Sequence, residues 1–279
     1  MSASPIPSSE TIISELQAIV GSDKVRNDAE ILFSHGRDWT KAHTPAPLAV
    51  VFPRTAAEVQ AVVKLANNLE FAIVPSGGRT GLSGGAVAAS GEVVVSFDYM
   101  SHISDFDPID RTVVCQAGVI TEQLQDFAEE RGLFYPVDFA SAGSSQIGGN
   151  IATNAGGIKV IRYGMTRDWV AGLKVVTGNG DMLELNRGLL KNNAGYDLRQ
   201  LFIGAEGTLG LIVEATMQLT RAPKNLTAFV LGVEDFSGIM NLFNRFQAEM
   251  DLTAFEFFSE QALQKVVAHS NVPRPFEST

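Results

Sequence analysis

The stretch VPSGGRTGLSGG, residues 74–85, sets Gly77, Gly78, Gly81, Gly84 and Gly85 directly behind the apolar run FAIV. Glycine loses more conformational freedom on folding than any other residue. A cluster of it after a strand marks left-handed turns, or a backbone approached too closely for a Cβ. The bare main chain offers consecutive N–H donors beside Arg79 and the hydroxyls of Ser76, Thr80 and Ser83. Such a loop can wrap a diphosphate as an anion nest. A flexible connection is the competing reading, because glycine-rich turns also serve as linkers. Arg79 either neutralises phosphate charge or points outward. A second block, DFASAGSSQIGGNIATNAGG at 138–157, mixes glycine with Ser, Asn and Thr and has few core side chains. It must face something polar or leave donors unpaired. Together the two blocks favour an extended polar ligand clamped from both sides.

Other chemistries find less support. After FAIVP the glycine spacing differs from G-x-G-x-x-G, with no acidic residue at the ribose-binding distance, and G-x-x-x-x-G-K-[ST] is absent from the chain. A nicotinamide Rossmann site and a P-loop are therefore disfavoured. The four histidines, His35, His43, His102 and His269, are scattered and predict no metal site. His35 in FSHGRDW reads as a loop or helix-end residue, and His269 as a solvent-facing residue of an amphipathic helix. Arg162, Tyr163 and Arg167 either approach the ligand or pair structurally with Asp168. Lys191 and Tyr196 either reach the open edge of the cofactor domain or cap the surface. Cys115, in the apolar run TVVCQAG, reads as a buried packing thiol. No catalytic residue is assigned.

Alternating strand and helix signals position these blocks. SSETIISELQAIVG places Ile12, Leu16, Ile19 and Val20 on one helical face before Gly21, and a short helix, DAEILFSHG, follows. LAVVFP is a buried strand. TAAEVQAVVKLANN then opens with a Thr55–Glu58 capping box and carries Val59, Val62, Val63 and Ala66 at helical spacing. With the strand FAIVP this makes a βαβ unit, the first glycine loop at its carboxyl end. EVVVSF, TVVCQAG and GLIVEATMQLT read as strands, TEQLQDFAEERG as a helix, and VAGLKVVTGNGDMLEL as a hairpin turning at Asn179-Gly180. From Ala228 a βαβα pattern, AFVLGV to HS, gives half of a split βαβ domain. No fixed-period repeat is present.

With 279 residues, 45% hydrophobic and 19% charged, the chain has the composition of a globular protein. A net charge of −10 argues against a nucleic-acid partner, while backbone dipoles can still hold one anionic ligand. A single cysteine forms no intrachain disulfide and suggests a reducing compartment. No apolar stretch reaches the ~20 residues of a membrane span, and MSASPIPSSE lacks a secretory signal pattern. A cytoplasmic location is expected.

PSGGRTGLSGG, DFASAGSSQIGGNIATNAGG, YGMTRDWVAGLKVV and NNAGYDLRQLFIGAEGTLGLIVEA, in that order, resemble the vanillyl-alcohol-oxidase-type (PCMH-type) FAD-binding domain of FAD-linked oxidases. Within that group the resemblance is to the D-2-hydroxy-acid dehydrogenases. It implies an α+β fold: a helical segment at 1–44, an FAD-binding domain of two α+β subdomains at 45–224, and an incomplete ferredoxin-like substrate or cap domain at 225–279. The loop Pro75, Ser76, Gly77, Gly78, Arg79, Thr80, Gly81 and Leu82 would bind the FAD diphosphate. Asp138, Ala142, Gly143, Ser144, Gly148, Gly149, Asn150, Thr153, Asn154 and Gly157 would form the second clamp, with Glu206, Gly210 and Ile212 flanking the adenosine or ring portion. The cofactor is expected to be noncovalent FAD. The implied activity is oxidation of a D-2-hydroxy acid, of the 2-hydroxyglutarate or lactate class, to the 2-oxo acid. Substrate and metal residues are expected beyond Thr279. A catalytically silent flavin-binding subunit is the alternative. The electron acceptor is open, and a homo-oligomer is compatible with the sequence.

Overall fold

The computed structural model of the chain describes residues 8–40 and 42–276. Helix α1 (Ser9–Val20) starts at Ser8, whose hydroxyl accepts from the Thr11 N–H, and it buries Ile12 and Leu16. Strand β1 (Val25–Arg26) precedes α2 (Ala29–His35), capped by Asp28. The expected βαβ unit is β2 (Ala49–Val51), α3 (Ala56–Leu69) and β3 (Ile73–Ser76), with the Thr55–Glu58 capping box in place. The sheet order is β1-β2-β4-β3, so β4 (Val93–Ser96) inserts between the two strands of that unit and runs parallel to both. All four residues of β4 are buried, as a central parallel strand requires. The first glycine loop thus leaves the carboxyl end of an edge strand.

The second sheet is antiparallel. Its strands are β5 (Ile103–Asp107), β6 (Thr112–Gln116), β8 (Val170–Thr177), β9 (Met182–Leu185) and β10 (Gly210–Gln218), in the order β5-β6-β10-β8-β9. The β8–β9 hairpin turns where expected, with Gly180 at φ +81. A two-stranded ribbon pairs β7 (Leu133–Phe134) with β11 (Thr220–Arg221). Helix α4 (Thr121–Glu129) and three short helices, α5 (Ile147–Ala152), α6 (Val160–Tyr163) and α7 (Arg199–Phe202), complete this half.

Strand β10 joins the two cores. Leu211 and Val213 pack with Val51, Val59, Val62 and Val93 of the first half, while Ile212, Ala215 and Met217 pack with Cys115, Leu124 and Ile147 of the second. A register shift between Ile212 and Glu214 permits this, because one extra residue changes which face the following side chains take. The halves are therefore fixed to each other beside the cleft.

Residues 225–276 contribute no buried side chain. They hold α8 (Phe236–Glu249) and α9 (Glu260–His269), capped by Asp235 and Ser259. The runs AFVLGV and TAFEFF, expected as strands, are not strands here, and Phe229, Val230, Phe257 and Phe258 stay exposed. An apolar extended run becomes a strand only when a neighbour supplies a ladder and covers its face. Aromatic pairs link α8 to the adjoining run, Phe236 to Phe257 at 5.8 Å and Phe243 to Phe255 at 5.1 Å. Among the described residues no helix is long and apolar enough to cross a membrane.

Candidate functional site

A cleft of about 410 Å³ runs between the two halves, lined by the first glycine loop, by α5 and by the start of β10. Two features suit it to an extended anion. Among the described residues, no amide from 77 to 83 donates to a protein acceptor, and the Gly149 N–H is likewise free. Unpaired main-chain donors gathered on one concave surface suit a diphosphate. The two glycine segments also meet backbone to backbone. A Cβ on Gly78 would collide with the Ser144 carbonyl oxygen and lie 2.8 Å from Ser145 Cα, whereas a Cβ on Gly149 would meet nothing within 4 Å. Gly78 is thus demanded by the protein itself, while the space over Gly149 is open.

The loop is anchored from several directions. Asp38, 5% exposed, accepts from the Gly84 N–H at 2.7 Å, and the Trp39 N–H donates to the Gly81 carbonyl at 2.9 Å. Arg79, in the left-handed region at φ +59, turns its guanidinium inward onto Asp98, at 3.3 Å and 3.2 Å, and donates to the Gly77 carbonyl at 2.8 Å. Arg79 therefore does not point outward: it lines the cleft with its charge matched by Asp98 inside the protein. Asp98 also accepts from Gln146 Nε2 at 2.8 Å and faces His35 Nε2 at 3.1 Å. Burial opposes a charge on Asp98, but the His35 contact, the Arg79 charge and hydrogen bonds, and the Gln146 amide outweigh it, holding the carboxyl well below the usual carboxylate range. His35, read from sequence as a helix-end residue, is one, and it also joins this network.

The cleft brings together Pro75, Gly77, Gly78, Arg79, Thr80, Gly81 and Leu82 with Gly148, Gly149, Asn150, Thr153, Glu206, Gly210 and Ile212. The remaining expected residues are not part of its lining. Ser76 is buried beneath the loop. Ala142 accepts from the Glu122 N–H at 3.1 Å, and Gly143 sits against the Glu122 carboxylate. Ser144 supports Gly78, and Gly157 packs on the Asp138 carbonyl. The Asp138 carboxylate pairs with Lys159 at 2.8 Å, and Asn154 Oδ1 accepts from the Arg167 N–H at 3.1 Å. Sequence reasoning missed Asp38, Asp98 and Gln146, because each acts through residues distant in the chain.

The other candidates lie elsewhere in the fold. Arg162 pairs with Asp251 at 3.3 Å and Arg167 donates to Gln200 at 2.6 Å, while Asp168 accepts from the Met165 N–H. Lys191, Tyr196 and His269 are exposed. Cys115 is buried, and that burial, followed by the Glu214 charge, pushes its thiol up to about 12. Among the described residues there is no group of three or more His, Cys, Asp or Glu side chains that could hold a metal ion.

Fold and cleft together define a flavin-nucleotide-binding α+β domain. The chain belongs to the FAD binding domain family, whose profile matches residues 47–186, and FAD is its cofactor. Over 267 residues it is 66% identical to a D-2-hydroxyglutarate dehydrogenase of Stutzerimonas stutzeri, covering 96% of this chain and 58% of that protein. A D-2-hydroxyglutarate dehydrogenase of Xanthomonas citri pv. viticola is 54% identical, covering 92% of this chain and 54% of that one. The chain thus spans a little over half the length of these curated relatives. Among solved structures, an alkyldihydroxyacetonephosphate synthase aligns at TM-score 0.70 and 25% identity, over 81% of this chain and 43% of its own. A p-cresol methylhydroxylase with bound substrate aligns at TM-score 0.71 and 21% identity, over 86% and 48%, which bears on the fold alone. The expected vanillyl-alcohol-oxidase-type architecture is borne out by these neighbours.

Proposed function

We propose that the chain is the FAD-binding portion of a flavoenzyme that oxidises a D-2-hydroxy acid, of the 2-hydroxyglutarate class, to the 2-oxo acid. The observation that carries this reading is the 66% identity along nearly the whole chain to a relative named for that activity, joined to a cleft built for a diphosphate. Bound FAD supplies the hydride acceptor, and the protein supplies position and charge. The amides of 77–83 and Gly149 hold the diphosphate. Asn150, Thr153, Glu206, Gly210 and Ile212 border the rest of the nucleotide. Asp138, Ala142, Gly143, Ser144, Asn154 and Gly157 shape the backbone behind them. Binding is noncovalent, a reading supported by the burial of Cys115 and the engagement of His35 with Asp98.

The cofactor domain extends over 45–224 and is preceded by the segment 1–44, whose helices α1 and α2 pack against it, and 225–279 begins a substrate-facing domain. The exposed apolar runs of that last segment support this division. The free thiol of Cys115 fits a cytoplasmic location. The test is anaerobic titration of FAD-loaded protein, both as this chain and extended to the length of its relatives. D-2-hydroxyglutarate should bleach the flavin of the extended protein, and the L-enantiomer should not. FAD that stays oxidised in the extended protein would instead identify a catalytically silent flavin carrier.

A further inference from the structure

We propose that Asp98 is a positioning residue for the cofactor diphosphate, tying the first glycine segment to the second through Arg79 and Gln146 and so fixing the width of the cradle. The proposal rests on the FAD reading of the cleft. Asp98 lies two residues past the end of β4, an interior strand of the first sheet, and is therefore held close to a rigid element. One oxygen accepts from Gln146 Nε2 at 2.8 Å and from Arg79 at 3.3 Å, and the other accepts from Arg79 at 3.2 Å. A carboxylate only accepts, so the Gln146 amide has one possible orientation. Its NH₂ faces Asp98, and its Oε1 is turned toward Gly77, buried and without a partner among the described residues.

Each end of this tie sits where it controls free amides. Arg79 is a non-glycine residue at positive φ, a conformation that persists only where the surroundings enforce it. Its bond to the Gly77 carbonyl curls the segment whose amides stay unpaired. Gln146 is the residue before α5, so its side chain sets where that helix presents the free Gly149 N–H. Between the two ends, Gly78 rests directly on Ser144 and Ser145.

The charge pattern agrees. Among the described residues the cleft lining contains one cationic side chain, Arg79, which pairs with Asp98, beside two carboxylates, Asp38 and Glu206. A carboxylate beside a diphosphate repels it, so attraction cannot explain Asp98 at this place. Geometry can, because main-chain amides bind an anion only when they converge on it.

The experiment uses the full chain and three variants: Asp98→Asn, Arg79→Gln and the pair combined. FAD affinity is read by flavin fluorescence quenching, the diphosphate environment by phosphorus NMR of bound FAD, and the apoprotein by thermal melting. Asp98→Asn should weaken FAD about ten-fold or more, as loss of hydrogen bonds to a charged group does, and should shift the bound phosphorus resonances. The double variant should be little worse than either single one, because both break one tie. Simple loss of fold stability would lower the melting point without moving the resonances of the FAD that remains bound. If Asp98→Asn does not fold, Gln146→Leu cuts the same tie from the other side and should give the same shift. Wild-type resonances with affinity within about two-fold, or multiplicative effects in the double variant, overturn the proposal while leaving the cleft reading intact. Failure of the unsubstituted chain to bind FAD overturns the cleft reading and this proposal with it.

Discussion

A methyl group on Gly149 separates what the fold needs from what the cofactor needs. Gly149 lies within α5, lines the cleft, and has nothing within 4 Å of the position its Cβ would take. For the apoprotein, Gly149→Ala should be neutral or stabilising by up to ~1 kcal/mol, the helix preference of alanine over glycine. With FAD passing over α5, the same methyl enters occupied space. Overpacking of that kind costs about 1–3 kcal/mol, which converts to a rise in Kd of roughly 5- to 150-fold. The assay pairs apoprotein melting with FAD titration of the same sample. An unchanged Kd in a protein of unchanged stability would refute the reasoning, because the nucleotide would not cross that face. The neighbouring Gly148 is the control: its Cβ would lie 2.6 Å from that of Ala117, so alanine there should damage the fold itself.

Gly78→Ala should lower apoprotein stability by about 1–3 kcal/mol and weaken FAD as well, since its methyl meets the Ser144–Ser145 backbone, which has nowhere to move; chemical denaturation reads the first effect and titration the second. The native state holds Asp98 ionised more firmly than the unfolded chain does, so its network stabilises the fold above about pH 4 and loses that contribution as pH falls through and below that value. Melting curves of wild type and Asp98→Asn should therefore converge as the buffer is acidified, and a constant gap would contradict the assignment. Cys115, fully buried with its thiol pushed up to about 12, should resist an aromatic disulfide reagent at neutral pH until the protein is unfolded. Rapid labelling of folded protein would show that the core opens.

Much of this site is written locally. The capping box at Thr55 and Glu58, the hairpin at Asn179-Gly180 and the bare loop after FAIVP each depend on neighbours within a few residues, and the structure contains all three. Helix α5 was not legible, because a run of Gly, Asn and Thr has poor helix propensity. It forms through tertiary packing: the Gly148 N–H donates to the Ala117 carbonyl at 2.8 Å, at a spacing only glycine tolerates. The Asp98 network is invisible for a different reason. His35 and Asp98 are 63 positions apart, and Gln146 is 48 positions beyond Asp98. They meet only because β4 inserts between β2 and β3, an order that periodicity does not encode. The inward turn of Arg79 follows from that same insertion. The C-terminal runs show the converse, where strongly apolar segments yield no strand without a ladder to join.

Amide hydrogen exchange of the full chain, with and without saturating FAD, tests most directly whether main-chain donors of two separate segments hold the nucleotide. The account predicts strong FAD-dependent protection at residues 77–83 and at Gly149, amides that have no protein acceptor among the described residues. Protection confined to other segments, or none at these positions in protein shown to contain FAD, would contradict it.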